Sequence, residues 1–290
     1  TPITQNLARE LLDSIAAGCQ ADAARDYAQH IPVRVIAHML GVPAADEEMF
    51  TNWAVRILQE GFNDLQKSLD AIIETLEYFG ARVDERAALP ADQRPDDLIT
   101  LLVETEIDGE PLDRRHLLGT CFLLLLAGID TTWSAIGSSL WHLATHPEDQ
   151  ARLRAEPDLI DSAVEELLRV YSPVTMAREV IADVDVAGCP MKPGDKVLMS
   201  FPAANRDPAQ FENPDEFIID RERNRHVAFG SGIHRCLGSN LARMELRVAI
   251  QEWLTRIPTF ELADPAAVTW TGGQVRGPRT IPVRWSATQP

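Results

Sequence analysis

From Arg114 to about Ala144 no proline interrupts the chain, and the segment opens on its most apolar run, LLGTCFLLLLAGI (Leu117–Ile129). Asp108-Gly109 gives a turn just before it, and Asp113 is a good N-cap. At 1.5 Å per residue this predicts a single helix roughly 45 Å long. Such a helix must cross the whole of a domain built from 290 residues, so the other elements have to pack around it. The apolar run alone is too short to span a bilayer and fits a buried helix better.

Apolar residues recur at helical spacing at Gln5–Ile15, Val33–Leu40, about Glu47–Glu60, Leu65–Leu89 and near Leu98–Glu106. Thr145 and Glu148 flank His146-Pro147 as a capping box for another helix, and Ile160–Tyr171 is amphipathic up to Pro173. The pattern then changes. REVIADVDVAG and KVLMSF, with a KPGD turn between them, read as short strands, and NRDPAQFENPDEF is dense in turn formers. A last long helix at Leu241–Ile257 and short strands near Thr269–Trp270 and Ile281–Trp285 complete a mostly α, α+β domain. No linker or repeat divides residues 1–290, so a single domain is expected. The chain starts at Thr1 inside a helical pattern, without methionine, and an N-terminal part is expected to be missing.

The formal charge of −17 argues against nucleic acid as a partner, because binding it needs a basic face. The four cysteines are scattered and form no C-x-x-C pair, which argues against a disulfide framework or a zinc framework and for a reducing cytoplasm. Cys236 lies in FGSGIHRCLG (Phe229–Gly238), at the mouth of the last long helix. Gly230, Gly232 and Gly238 give this loop backbone freedom and close approach to a bulky group. A thiolate at a helix N-terminus is a suitable ligand for haem iron, where its electron donation favours O–O cleavage. A zinc site from His226, His234 and Cys236 would lack a clear fourth ligand.

Two further motifs carry chemistry. In AGIDTT (Ala127–Thr132), Gly128 makes room on the long helix, while Asp130 and Thr131 supply an acid and a hydroxyl able to relay protons. In Glu166-Leu-Leu-Arg169 the charges share one helix face, and spacing alone makes them a surface pair contributing about 0.2–0.5 kcal/mol.

Phe229-Gly-Ser-Gly232-Ile-His234-Arg-Cys236-Leu-Gly238 resembles the haem-binding signature of the cytochrome P-450 family at every defining position. AGIDTT resembles that family's oxygen-activation segment, and Glu166–Arg169 its E-x-x-R helix. The resemblance implies the family fold, a long central helix over haem b (iron protoporphyrin IX) with small β-sheets. Cys236 would bind the iron, Phe229 would pack over the thiolate, and His234 and Arg178 would hold propionates. Glu166 and Arg169 would be buried as a brace. The third charged partner is open, because Pro214-Asp-Glu216-Phe217 places a glutamate where relatives have an arginine; Arg221 and Arg223 are candidates. Leu124, Ile129, Val174, Thr175 and Met176 fall where relatives line the substrate pocket.

The implied activity is O2-dependent hydroxylation, epoxidation or demethylation of a small organic substrate. Electrons would come from an external ferredoxin or flavodoxin with its reductase, docking near Arg225, Arg235 and Arg243. A non-catalytic haem-binding protein, an isomerase or a peroxygenase on the same fold is the alternative. Neither nucleic acid nor membrane is an expected partner.

Overall fold

The computed structural model describes residues 2–61 and 63–286. The helices are α1 (Pro2–Ala16), α2 (His30–Leu40), α3 (Glu47–Val55), α4 (Leu65–Ala88), α5 (Leu98–Glu104), α6 (Arg114–Thr145), α7 (Pro147–Ala155), α8 (Ile160–Val170), α9 (Phe201–Ala204) and α10 (Ser239–Arg256). The strands are short: β1 (Gln20–Asp22), β2 (Glu106–Ile107), β3 (Glu110–Pro111), β4 (Thr175–Glu179), β5 (Val184–Val186), β6 (Cys189–Met191), β7 (Lys196–Ser200), β8 (Glu261–Leu262), β9 (Thr269–Thr271), β10 (Gly277–Thr280) and β11 (Pro282–Arg284). They pair antiparallel as β1-β11-β8, β2-β3, β4-β7, β5-β6 and β9-β10.

The long helix is α6, 32 residues without a break. The Asp113 carboxylate accepts from His116 N–H at 2.8 Å and starts it as the sequence predicts. Its length and hydropathy would also suit a bilayer span, but α2, α4, α10 and β10 pack against it. Two apolar clusters share it. Cys121, Leu125, Leu126 and Ile129 of its first half join Ile36, Phe50, Phe79 and Ile99. Trp133, Ile136, Leu140 and Leu143 of its second half join Leu12, Tyr27, Leu167 and Trp253. A helix apolar around most of its circumference is stable only when enclosed in this way.

Strand β10 lies close against α6. A Cβ on Gly277 would sit 2.4 Å from Ser134 Cβ, and one on Gly137 would sit 3.1 Å from Pro278 Cγ. Reciprocal glycines let the strand backbone approach the helix, which fixes the direction of Arg279 two residues along.

The expected capping box is not formed. Thr145 belongs to α6 and its hydroxyl donates back to the carbonyls of Trp141 and His142, while His146 takes the N-cap position of α7 without a side-chain bond. Pro147 at the first helical position is enough to start α7. The helix expected over Glu47–Glu60 is α3 followed by a π-turn, Arg56–Glu60, that carries Gln59 inward.

His142, near the end of α6, is buried with both ring nitrogens satisfied. Tyr171 Oη donates to Nδ1 at 2.8 Å, and Nε2–H donates to Asp149 Oδ2 at 2.9 Å. Burial, reinforced by the stacked His146, pushes His142 down from 6.5 to about 3. The folded state therefore resists a proton that the unfolded chain accepts. The stability contributed is complete above pH 6.5 and is lost as pH falls from there to about 3. The slope is at most about 1.4 kcal/mol per pH unit. Denaturant titrations across this range should show that slope in the parent and a flatter one in His142→Gln; equal slopes would contradict the assignment.

Candidate active site

The segment Phe229–Gly238 is a turn-rich loop that ends at the N-cap of α10. Gly230 and Gly232 have φ of 69° and 68°, a region nearly closed to other residues, whereas Gly238 has φ −80° and is the N-cap. Two of the three glycines therefore serve conformation. Cys236 N–H donates to Phe229 O at 2.8 Å and closes the loop, leaving the thiol exposed. A Cβ on Gly238 would lie 3.9 Å from the sulfur. His234 is exposed in a 3-10 turn, Gly232–His234.

Ile233 and Leu237, on either side of the thiol, are 97% and 91% exposed, and Leu123 on α6 is 62% exposed. Exposed apolar side chains flanking the thiol along the loop suit a flat apolar macrocycle that carries its own metal. Among the described residues no group of three His, Cys, Asp or Glu could hold a bare ion. His226 is not free for zinc: its Nδ1 accepts from Ala228 N–H and its Nε2 bonds Glu165. The residues present thus fit a haem.

Behind the loop, Arg243 of α10 lies 4.5 Å from the Phe229 ring centroid. It also makes two bonds to Glu165, at 2.6 and 2.9 Å. Burial alone would raise the Glu165 pKa, but His226 and Arg243 outweigh it and hold it at about 2. Arg243, expected to offer its charge to a partner, is committed within the fold. Arg225 and Arg235 are exposed and line a cavity of about 600 Å³ beside Phe229, Gly230 and Ser231.

The Glu166–Arg169 pair is fully buried, with two bonds of 2.8 Å, so the surface reading from spacing alone fails. Arg221 is the third partner, its Nε 3.0 Å from both Glu166 oxygens. Ile218 N–H and Asn224 Nδ2 also donate to Glu166. Burial opposes ionisation of Glu166, and the hydrogen bonds led by Arg169 overcome it, so its pKa stays below the usual value. Glu216 contributes its backbone carbonyl to both guanidinium groups, which is why a glutamate is tolerated there. Arg169 further bonds Asn205 O, and Asn205 Oδ1 accepts from Val227 N–H, tying the brace to the approach of the cysteine loop.

On α6, Leu123, Ala127 and Thr131 form one outward face at period four, with Leu123 and Ala127 exposed and Thr131 partly so. Thr131 Oγ1 donates to Ala127 O at 2.8 Å, leaving its lone pairs free. Asp130 points elsewhere, wholly buried, with Oδ1 accepting from Arg279 Nη2 at 2.6 Å and Gln59 Nε2 at 3.3 Å. A Cβ on Gly128 would meet Ile36 at 3.2 Å, so the room it makes is taken by α2.

Ile129, expected on a pocket wall, is instead fully buried in the core with Ile36 and Phe50. Leu124 is half-buried against the same cluster, while Leu123, which the sequence reading omitted, faces outward. Val174, Thr175 and Met176 are half-buried and held by the 274–275 segment, through Thr175 N–H to Gln274 O and a Val174–Val275 bridge. Arg178 on β4 is half-buried and donates to Ala177 O.

The same fold is found in known proteins. The family profile described as cytochrome P-450 matches residues 3–265. The mycinamicin IV hydroxylase/epoxidase of Micromonospora griseorubida is 38% identical over 98% of this chain and 72% of its own length. Nocardicin C N-oxygenase of Nocardia uniformis subsp. tsuyamanensis is also 38% identical, over 98% of this chain. The solved structure of the bacillaene polyketide synthase cytochrome P-450 PksS from Bacillus subtilis 168 superposes with a TM-score of 0.92 at 35% identity, covering 98% of this chain and 74% of that one. With the thiol loop, the buried E-x-x-R brace and the long helix all in place, the chain belongs to the cytochrome P-450 family of haem-dependent monooxygenases.

Proposed function

We propose that this chain hydroxylates, epoxidises or demethylates a small organic substrate using O2 and electrons from an external ferredoxin or flavodoxin with its reductase. The observation that carries the reading is the outward face Leu123–Ala127–Thr131 on α6, which presents a hydroxyl with free lone pairs on the residue next in sequence to a buried acid. Cys236 would ligate the iron of haem b with Phe229 against the sulfur, and His234 and Arg178 would hold the propionates. When bound, haem with a thiolate ligand supplies dioxygen activation and O–O cleavage. Thr131 holds a proton at Oγ1 and passes it on, and Asp130 replenishes it. Leu123, Leu124, Val174, Thr175 and Met176 form the apolar wall that orients the substrate and excludes water.

Exposed Arg225 and Arg235 give an otherwise acidic protein a local cationic patch for an acidic donor. Four free cysteines suit a reducing cytoplasm. The alternatives, a non-catalytic haem protein, an isomerase or a peroxygenase, have no need of the Thr131 hydroxyl.

Thr131→Ala separates these readings. With a donor system, O2 and a substrate, the variant should keep consuming reductant while product per O2 falls on the order of tenfold or more and hydrogen peroxide takes its place. Undiminished coupling would remove the role assigned to Thr131.

A further inference from the structure

Three chain segments meet on one carboxylate. Asp130 of α6 receives Arg279 from β10 and Gln59 from the π-turn Arg56–Glu60 on the same oxygen, Oδ1. Arg279 is itself aimed: Nη1 donates to Ser134 Oγ at 3.1 Å, and its guanidinium lies 4.3 Å from the Trp133 ring centroid. Each member of the pair keeps a buried atom without a partner, Asp130 Oδ2 and Arg279 Nε. The contrast with Glu166 is informative, because there both carboxylate oxygens are fully bonded. A brace is saturated with hydrogen bonds, whereas Asp130 is held on one oxygen and left open on the other.

We propose that Arg279 is a positioning residue for Asp130, fixing Oδ1, reserving Oδ2 for proton exchange, and setting by its charge the pH range in which that exchange occurs. The inference rests on the Asp130–Thr131 relay, but it concerns the state of the acid, which can be read without turnover.

Several other charged groups on the packed elements are engaged elsewhere. His30 and Arg34 of α2 bind Glu47, Arg56 of the π-turn binds Glu74, and Asp22 binds the N–H groups of Ala24, Arg25 and Ile281. On α10, Arg243 binds Glu165, Arg247 lies by Asp161, and Glu252 binds Arg9. Glu245 of α10 is the remaining buried carboxyl on these elements, and burial pushes it up to about 8. Toward Gly128, α2 presents the apolar Ile36.

Burial raises the Asp130 pKa, and Arg279 and Gln59 pull against that rise. Removing the guanidinium takes away the charge that opposes this rise, so Asp130 should stay protonated to higher pH. The raised carboxylate contributes its stability below its unfolded pKa and loses it as pH rises through the folded one. The deficit of Arg279→Met relative to the parent should therefore grow with pH.

The test is an infrared titration of the haem-loaded full chain carrying labelled aspartate, which separates Asp130 from Glu245. In Arg279→Met the protonated Asp130 band should persist to a midpoint at least about one pH unit above the parent, a tenfold change in proton affinity. Arg279→Lys should fall between the two, and Asp130→Asn should remove the band. Should Arg279→Met not fold, Arg279→Lys carries the test alone, because it keeps the charge but loses the contacts with Ser134 and Trp133 that aim it. A midpoint unchanged from the parent in the variant measured would overturn the proposal. Full coupling in Thr131→Ala would instead sink the relay while leaving the effect of Arg279 on the band intact.

Discussion

Glu166→Ala is expected to lower stability by about 3–5 kcal/mol and to give protein that no longer retains haem. The substitution leaves the guanidinium groups of Arg169 and Arg221 facing each other in the interior, and strands the Ile218 N–H and the Asn224 amide without their acceptor. Like charges in a buried site and unpaired donors act together. Against a total stability of about 5–15 kcal/mol this is a large part of the whole. Haem loss follows because Arg169 holds Asn205, and Asn205 holds Val227, two residues before Phe229. Denaturant titration with a haem-binding assay measures both. A variant within about 1 kcal/mol of the parent that still binds one haem would show that the brace is not needed.

Gly277→Ala is the second large effect, because the new methyl would lie 2.4 Å from Ser134 Cβ and 2.7 Å from Ser134 Cα. A side chain could rotate away, but the α6 backbone, packed on several sides, cannot. Overpacking of this kind costs about 1–3 kcal/mol. Adding Ser134→Gly should recover only part of the loss, since the contact with the Cα remains. Displacing β10 also draws Arg279 from Asp130, so the variant should share the raised Asp130 midpoint of Arg279→Met. Gly137→Ala, facing only Pro278 Cγ at 3.1 Å, should be milder. Thermal unfolding orders the two, and a Gly277→Ala protein as stable as the parent would place β10 farther from α6.

Local signals were legible where they are covalent or periodic. Asp113 caps α6, and the long proline-free run is one helix, because capping and propensity act within a few residues. The glycine spacing around Cys236 was legible for the same reason, although Gly238 turned out not to need a left-handed backbone. What α6 hides is its orientation. With leucines on most of its faces, nothing local says that Leu123 turns out and Ile129 turns in. Arg221 and Arg223 sit two apart in an irregular segment, where the turns of the loop decide which of them reaches Glu166. Arg279 lies 149 residues from Asp130, and only the packing of β10 on α6 brings them together. Strands of two or three residues such as β1 and β8 are set by their neighbours and leave no pattern.

The most direct test of the account is the absorption spectrum of the reduced, haem-loaded chain under carbon monoxide, recorded beside Cys236→Ser. The account predicts the red-shifted Soret band of a thiolate-ligated haem in the parent and its loss in the variant. A band at the same position in both, or a parent that takes up no haem, would contradict it.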